Sequence, residues 1–157
     1  MGSRSIAEIA AYHNDVVDSL KSYFFGRRPG DLAARLEETD LRSAFFILTT
    51  LEAAFRVDYL CRCQKRKKDV VSRAFYVIYK SQKKNARLDE DIFETCKEKS
   101  SAPGPRLISE LRGAFKLRHW LAHGRYWEPT LGRKYDFNFV YSLADDVFSA
   151  FELLEFD

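Results

Sequence analysis

The stretch LRSAFFILTTLEAAFRVDYL, residues 41–60, determines the fold expected for this chain. Apolar side chains recur along it at intervals of three and four residues, which is the spacing of one face of an α-helix. Thr39 or Asp40 is a suitable N-cap for that helix. The apolar face consists of Leu41, Ala44, Phe45, Leu48, Leu51, Phe55, Tyr59 and Leu60. Such a stripe needs partner helices to cover it, so the pattern predicts a helical bundle.

Shorter helical patterns lie on both sides of this stretch. Ser5 and Glu8 form a capping-box pattern, which predicts a helix over residues 6–25, and Asp31 predicts a short helix through Leu36. Further helices are predicted over 69–81, 89–96, 107–123 (ended by a left-handed turn at Gly124) and 136–154. A strand over 135–141 is the alternative for the start of the last helix, but the long helical continuation favours a helix.

Length and composition agree with this reading. The 157 residues suit a single domain, 1–157, with one core. Apolar residues make up 46% of the chain and aromatic residues 15%, which argues against disorder. Only 7 Gly and 4 Pro are present, which favours long helices over sheets with many turns. The prediction is an all-α, up-and-down bundle of about five to seven helices.

Charge is distributed unevenly along the chain. Between Arg62 and Arg87 there are ten Lys or Arg residues and one acid, whereas six acids and no Lys or Arg follow Lys134. The run Lys65, Arg66, Lys67 and Lys68 is either a solvated corner after a helix or a surface that tracks the phosphates of a polyanion. The basic middle of the chain suits a polyanionic partner.

The cysteines and the apolar segments indicate the cellular compartment of the protein. Cys61, Cys63 and Cys96 are an odd number without secretory spacing, which favours reduced thiols in the cytosol. A zinc site is the alternative, but structural zinc usually has four ligands, so no metal site is predicted. No stretch approaches the roughly 18 apolar residues that cross a bilayer, and no signal peptide is evident. A cytoplasmic protein with no membrane contact is expected.

A polar stretch, RHWLAHGRYW at residues 118–127, follows the apolar pattern of the 107–123 helix. His119 and His123 are four residues apart and share a helix face, and Arg118 directly precedes His119. Imidazole exchanges protons near neutral pH, and a guanidinium binds two phosphoryl oxygens at once. Since a hydrophobic core needs none of these groups, the polar stretch indicates phosphate chemistry.

Glu52 lies within the apolar helix and has two interpretations. It precedes Arg56 by four residues, which favours an ordinary surface ion pair. The alternative is that its carboxylate orients Arg118 or His119 from a neighbouring helix, because a nearby cation stabilises an inward carboxylate.

Arg118, the four residues after it and His123 together resemble the Arg-x4-6-His motif of HEPN-domain ribonucleases, with polar His119 directly after the arginine. These are small all-helical proteins of prokaryotic toxin–antitoxin, phage-defence and CRISPR systems. The resemblance implies a HEPN-type bundle and a homodimer in which two motifs form one composite cleft. It also implies an endoribonuclease that needs no metal or other cofactor, with RNA and a cognate antitoxin protein as partners.

In this interpretation Arg118 and His123 are the catalytic residues. His123 acts as general base on the ribose 2′-hydroxyl or as general acid on the leaving 5′-oxygen, and Arg118 stabilises the phosphorane. The products are a 2′,3′-cyclic phosphate and a 5′-hydroxyl. His119 relays protons or contacts phosphate. The expected substrate contacts are Arg125, Tyr126 and Trp127, the rings by stacking on unpaired bases.

Two other functions remain open. One is a non-catalytic HEPN-like binding or adaptor domain, in which the polar stretch forms a structural network. The other is a metallohydrolase that uses His119 and His123 as ligands. A zincin helix needs a glutamate directly after its first histidine, and Trp120 occupies that position, which argues against the metal site.

Overall fold

The computed structural model describes residues 2–156, apart from the side chains of Ser3 and Arg4. Its regular secondary structure is helical, with no strand among the described residues. A 3₁₀ turn and a π-helix, Lys83–Asn85 and Leu88–Phe93, connect α3 to α4. The α-helices are α1 (Gly2–Tyr23), α2 (Pro29–Gln64), α3 (Val70–Gln82), α4 (Glu94–Lys99), α5 (Gly104–Ala122) and α6 (Phe137–Ala150). The predicted all-α bundle is confirmed.

The long helix α2 is the centre of the bundle, since it contacts α1, α3, α5 and α6. Its 36 residues form one continuous helix. The sequence had predicted a short helix through Leu36 and a second one beginning at Thr39 or Asp40, and that division is wrong. The Thr39 hydroxyl donates to the carbonyl oxygen of Arg35 at 2.8 Å, so it bonds within the helix rather than capping a new one.

The predicted apolar stripe of α2 forms the core. Its central members, Ala44, Leu48, Leu51, Phe55 and Tyr59, are at most 1% exposed. Helices α5 and α6 cover this stripe with their own buried side chains. These are Leu107, Ile108, Leu111, Ala114 and Leu117 from α5, and Val140, Leu143, Ala144 and Val147 from α6.

Two predicted helix starts are confirmed by side-chain caps. The Asp69 carboxylate accepts from the Ser72 backbone N–H at 3.0 Å, and the Asp136 carboxylate accepts from the Phe139 N–H at 2.9 Å. The capping box at Ser5 is wrong, because α1 already begins at Gly2. The last helix is shorter than predicted, since it ends at Ala150 before extended backbone.

A buried ion pair attaches the C-terminal segment to α2. Asp58 is 2% exposed and accepts from Arg62 Nε at 2.7 Å and from the Leu154 N–H at 2.8 Å. Arg62 in turn donates through Nη2 to the Glu152 carbonyl oxygen at 2.6 Å. Burial raises the pKa of the Asp58 carboxyl, although its hydrogen bonds and Arg62 oppose that shift. Glu152 and Leu154 are therefore held in place without a helix.

The cysteines are buried thiols. Burial raises the pKa of Cys63 to about 11 and that of Cys96 to about 12. Within residues 2–156, no group of three or more His, Cys, Asp or Glu side chains is arranged to hold a metal ion. None of the helices in that range is long and apolar enough to cross a membrane.

Candidate functional site

The polar stretch spans the end of α5 and the turn that follows it. His123 is the C-cap residue of α5. The Arg125 N–H donates to the Trp120 carbonyl oxygen at 3.3 Å, and the Gly124 N–H donates to that of Leu121 at 3.5 Å, which is a Schellman-type helix end. Gly124 has a φ of 81°, a conformation that glycine adopts without strain. The predicted left-handed end at Gly124 is confirmed.

Arg118 points from α5 to α2. Its Nη2 atom lies 2.6 Å from Oε2 of Glu52, while Oε1 of Glu52 accepts from Arg56 Nε at 3.1 Å. The predicted pair of Glu52 with Arg56 is present, and the same carboxylate also contacts Arg118 from the neighbouring helix. Arg118 Nε and Glu52 Oε2 are buried without a hydrogen-bond partner among the described residues, so the contact is ionic rather than an aligned hydrogen bond. Arg118 consequently retains unused N–H donors.

A second ion pair fixes the turn after α5. Arg125 donates from Nη1 to Glu38 Oε2 at 2.7 Å and from Nη2 to Glu38 Oε1 at 3.1 Å. Hydrogen bonds from Arg125 and Arg42 lower the pKa of the Glu38 carboxyl to about 2. The side chain of Arg125, predicted to bind RNA, is thus occupied by a carboxylate of its own chain.

The two ion pairs attach α5 to one face of α2. Glu38 and Glu52 are 14 positions apart, close to four turns of about 3.6 residues each, so their carboxylates leave the same face. The later residue of α2 pairs with the earlier arginine, since Glu52 contacts Arg118 and Glu38 contacts Arg125. Helices α2 and α5 therefore run antiparallel along this face.

An open groove of about 730 Å³ lies beside Arg118. Its walls come from α2, from the π-helix before α4, from α5 and from the loop after the polar stretch. From α2 and the π-helix, the lining side chains include Glu52, Arg56, Leu88 and Asp89. Helix α5 contributes Arg112, Phe115, Lys116, Arg118, His119 and Trp120, and the loop contributes Trp127, Pro129, Thr130 and Leu131. The groove combines cations with an apolar, aromatic surface.

The two histidines of the polar stretch lie at the end of this groove. His119 lines it, and its ring centroid is 4.2 Å from that of His123 and 6.1 Å from that of Trp127. His123 is exposed and is not part of the groove lining. One chain therefore brings Arg118 and His119 into a single groove and leaves His123 at its solvent-exposed edge.

The tryptophans connect α5 to the loop. Trp120 Nε1 donates to the Trp127 carbonyl oxygen at 2.8 Å, which holds the loop against the helix. Trp127 is half-buried, and Tyr126 packs edge-on against it with ring centroids 4.5 Å apart. Tyr126 is 81% exposed. Its ring is accessible to a ligand, as is part of the Trp127 ring.

The predicted RNA-binding run lies elsewhere. Residues 65–68 are exposed and follow the C-terminal end of α2. Lys65 is 13 positions beyond Glu52, which corresponds to about 20 Å along a helix. The structure therefore does not bring this basic corner together with Arg118.

The sequence reasoning missed two basic residues that line the groove, Arg112 and Lys116. Their spacing of four residues puts them on one face of α5, next to the polar stretch, and this signal was available. Arg112 is held by Asp89 and Glu94, each at 2.5 Å. Lys116 is exposed and has no ion-pair partner within the described chain.

The groove presents the chemical groups that suit a phosphodiester. It offers a guanidinium with unused donors at Arg118, an ammonium at Lys116 and an imidazole at His119. Comparisons with protein-family models, with curated proteins and with solved structures found no match.

Proposed function

We propose that this protein is a metal-independent endoribonuclease of the HEPN type. The observation that carries the proposal is the Arg118 guanidinium, paired with Glu52 yet retaining unused donors, in an open groove that also contains His119. A guanidinium so held stabilises a dianionic phosphorane, and the neighbouring imidazoles transfer protons.

In the proposed reaction the RNA supplies the nucleophile. An imidazole takes the proton of the ribose 2′-hydroxyl, O2′ bonds to phosphorus, and the bond to O5′ breaks as that oxygen gains a proton. His123 is the proposed general base or acid. His119, whose ring centroid is 4.2 Å from that of His123, is the second proton-transfer group. The products are a 2′,3′-cyclic phosphate and a 5′-hydroxyl.

The proposed active unit is a homodimer. His123 lies at the edge of its own groove, so a second copy of the motif, facing the first, would complete the site with another imidazole. The resemblance to HEPN toxins supports a role in a toxin–antitoxin or phage-defence system, with a cognate antitoxin protein as partner. Residues 65–68, about 20 Å away, are a proposed second contact for RNA phosphates.

The test is incubation of the purified protein with mixed cellular RNA in EDTA, followed by analysis of the new ends. We expect cyclic-phosphate and 5′-hydroxyl ends. His123→Ala should lower the cleavage rate by about 10²- to 10⁴-fold and Arg118→Ala by about 10²- to 10³-fold, with folding intact. Arg106→Ala is the matched control, because Arg106 lies on α5 and pairs with Glu110 away from the groove.

One observation favours the second candidate function, a non-catalytic binding or adaptor domain. Arg118 and Arg125 each pair with a glutamate of α2, so both contribute to helix packing without any ligand. Absence of cleavage of any RNA, together with stable binding of a protein partner, would favour the adaptor. Cleavage that EDTA abolishes would contradict the metal-independent reaction.

A further inference from the structure

We infer that the groove beside Arg118 is a binding site for one unpaired nucleotide of the RNA, with its base against Trp127 and its phosphate on Lys116 and Arg118. The inference rests on the proposed ribonuclease function for the choice of RNA. The substrate is then bound in its single-stranded form, and Trp127, Lys116 and Arg118 hold the nucleotide.

The apolar part of the groove suits a nucleobase. Phe115, Leu88 and Leu131 are half-buried, and each presents part of its side chain to the groove opposite or beside the half-buried Trp127. A base that stacks on an aromatic ring gains about 1–3 kcal/mol, whichever base it is. Within a duplex the faces of each base are covered by its neighbours, so only an unpaired base has a face free for Trp127.

The polar part of the groove suits the phosphate. Four cations line it, Arg56, Arg112, Lys116 and Arg118, against the carboxylates of Glu52 and Asp89. These cations differ in how many carboxylates of the chain they already contact. That difference shows where positive charge remains available to a ligand.

Arg112 is paired with two carboxylates, Asp89 and Glu94. Lys116 has no ion-pair partner among residues 2–156, and Arg118 shares a single carboxylate with Arg56. Arg118 Nε is also a buried donor without an acceptor among the described residues, an unfavourable arrangement that pairing with a phosphate oxygen would relieve. The excess positive charge is thus at Lys116 and on the pair Arg56 and Arg118. Arg56 already donates to the Ala86 carbonyl oxygen, so the unused donors of this pair are those of Arg118.

The groove is large enough for this occupant. Its volume of about 730 Å³ lies within the roughly 300–1,000 Å³ of typical small-ligand sites. Because the same guanidinium serves the scissile phosphate in the proposed reaction, the bound nucleotide is the one adjacent to the cleaved bond.

The chain contains its own probe for this site. Both of its 2 Trp residues, Trp120 and Trp127, line the groove, so intrinsic tryptophan fluorescence reports on its occupant. The experiment titrates the full chain with a short single-stranded RNA in which every ribose is 2′-O-methylated and therefore cannot be cleaved. The same oligonucleotide annealed to its complement is titrated in parallel.

We expect the single strand to quench the fluorescence and the duplex to leave it unchanged. Trp127→Leu should weaken binding of the single strand by about 5- to 150-fold, the equivalent of one lost stacking contact, and Trp127→Phe should restore most of it. Lys116→Ala should weaken binding and flatten its salt dependence. The charge-matched control is Lys21→Ala, at the end of α1 away from the groove. Thermal melting checks that each variant is folded.

The outcomes separate this inference from the function on which it rests. Equal quenching by single strand and duplex would overturn it, as would unchanged single-strand affinity in both Trp127→Leu and Lys116→Ala. If natural RNA is cleaved but no RNA quenches the fluorescence, the nucleotide site is overturned and the proposed ribonuclease function stands. If the RNA quenches the fluorescence with the expected variant effects but is never cleaved, the nucleotide site is supported and the proposed ribonuclease function is rejected. Quenching by a protein partner alone overturns the site.

Discussion

Arg62 and Arg118 both pair with a carboxylate of α2, yet they are bound in different ways. The Arg62 side chain is 12% exposed. Its Nε donates to Asp58, and its Nη groups donate to side chains near the start of α3 and to a backbone carbonyl after α6. Every nitrogen of this guanidinium donates a hydrogen bond within the chain.

Arg118 is 29% exposed and shares one carboxylate with Arg56, while its Nε has no acceptor among the described residues. Buried donors in folded proteins are nearly always paired, so the unpaired Nε beside the groove sets Arg118 apart from Arg62. Arg62 uses all of its nitrogens to hold the fold, whereas Arg118 keeps donors that the described chain does not use.

The largest expected effect is the loss of stability on replacing Arg62. Arg62→Ala should lower the free energy of unfolding by about 3–5 kcal/mol, because the buried Asp58 carboxylate loses its cation. Arg118→Ala should change it by less than about 1 kcal/mol, because Glu52 keeps Arg56. Urea denaturation measures both. Similar stability losses in the two variants would contradict the distinction.

A smaller effect is expected from the carboxylate that positions Arg118. Glu52→Gln keeps the shape of the side chain but removes the charge that attracts the guanidinium. The rate of RNA cleavage should fall about tenfold, the equivalent of one charge-assisted contact of roughly 1.5 kcal/mol. The control is Glu110→Gln, which removes a comparable ion pair from the exposed side of α5. A wild-type rate in Glu52→Gln would show that Arg118 needs no positioning.

The smallest effect concerns the pair that fixes the turn after α5. Arg125→Ala should cost about 0.5 kcal/mol near neutral pH, since the pair is partly exposed. The pKa of Glu38 falls from 4.5 to about 2 in the folded chain, so its pairing stabilises the fold above pH 4.5 and loses that contribution as pH falls towards 2. Thermal melting at about pH 6 and about pH 3 measures the difference in melting temperature between the variant and the wild type. The difference in melting temperature should be smaller at the lower pH. An equal difference at both pH values would refute the stabilisation of ionised Glu38 by Arg125.

Some local signals in the sequence predicted local structure correctly, whereas the capping box at Ser5 did not. Asp69 and Asp136 cap helices because a carboxylate reaches the N–H three residues on, and Gly124 ends α5 because it tolerates a positive φ. The continuity of α2 was missed because Thr39 is equally able to cap a helix or to bond within one. Sequence alone does not decide between those two hydrogen bonds.

Contacts between distant residues were largely beyond prediction. Arg125 and Glu38 are separated by 87 positions, and no periodic pattern records their pairing. The ion pair of Glu52 with Arg118 was open as an alternative, and the geometry adds that Arg56 shares it. Residues 65–68 carry the right charge for RNA, but their distance from the groove follows from the length of α2, not from their own composition.

The spacing of Glu38 and Glu52 on α2 has a consequence for how this chain can vary. Inserting one residue between them would rotate one carboxylate by about 100° relative to the other and shift it by about 1.5 Å, so only one of the two contacts with α5 would survive. Replacements on the outer surface of that segment leave both contacts intact. At the exposed positions between these two glutamates, the number of residues is under stronger constraint than their identities.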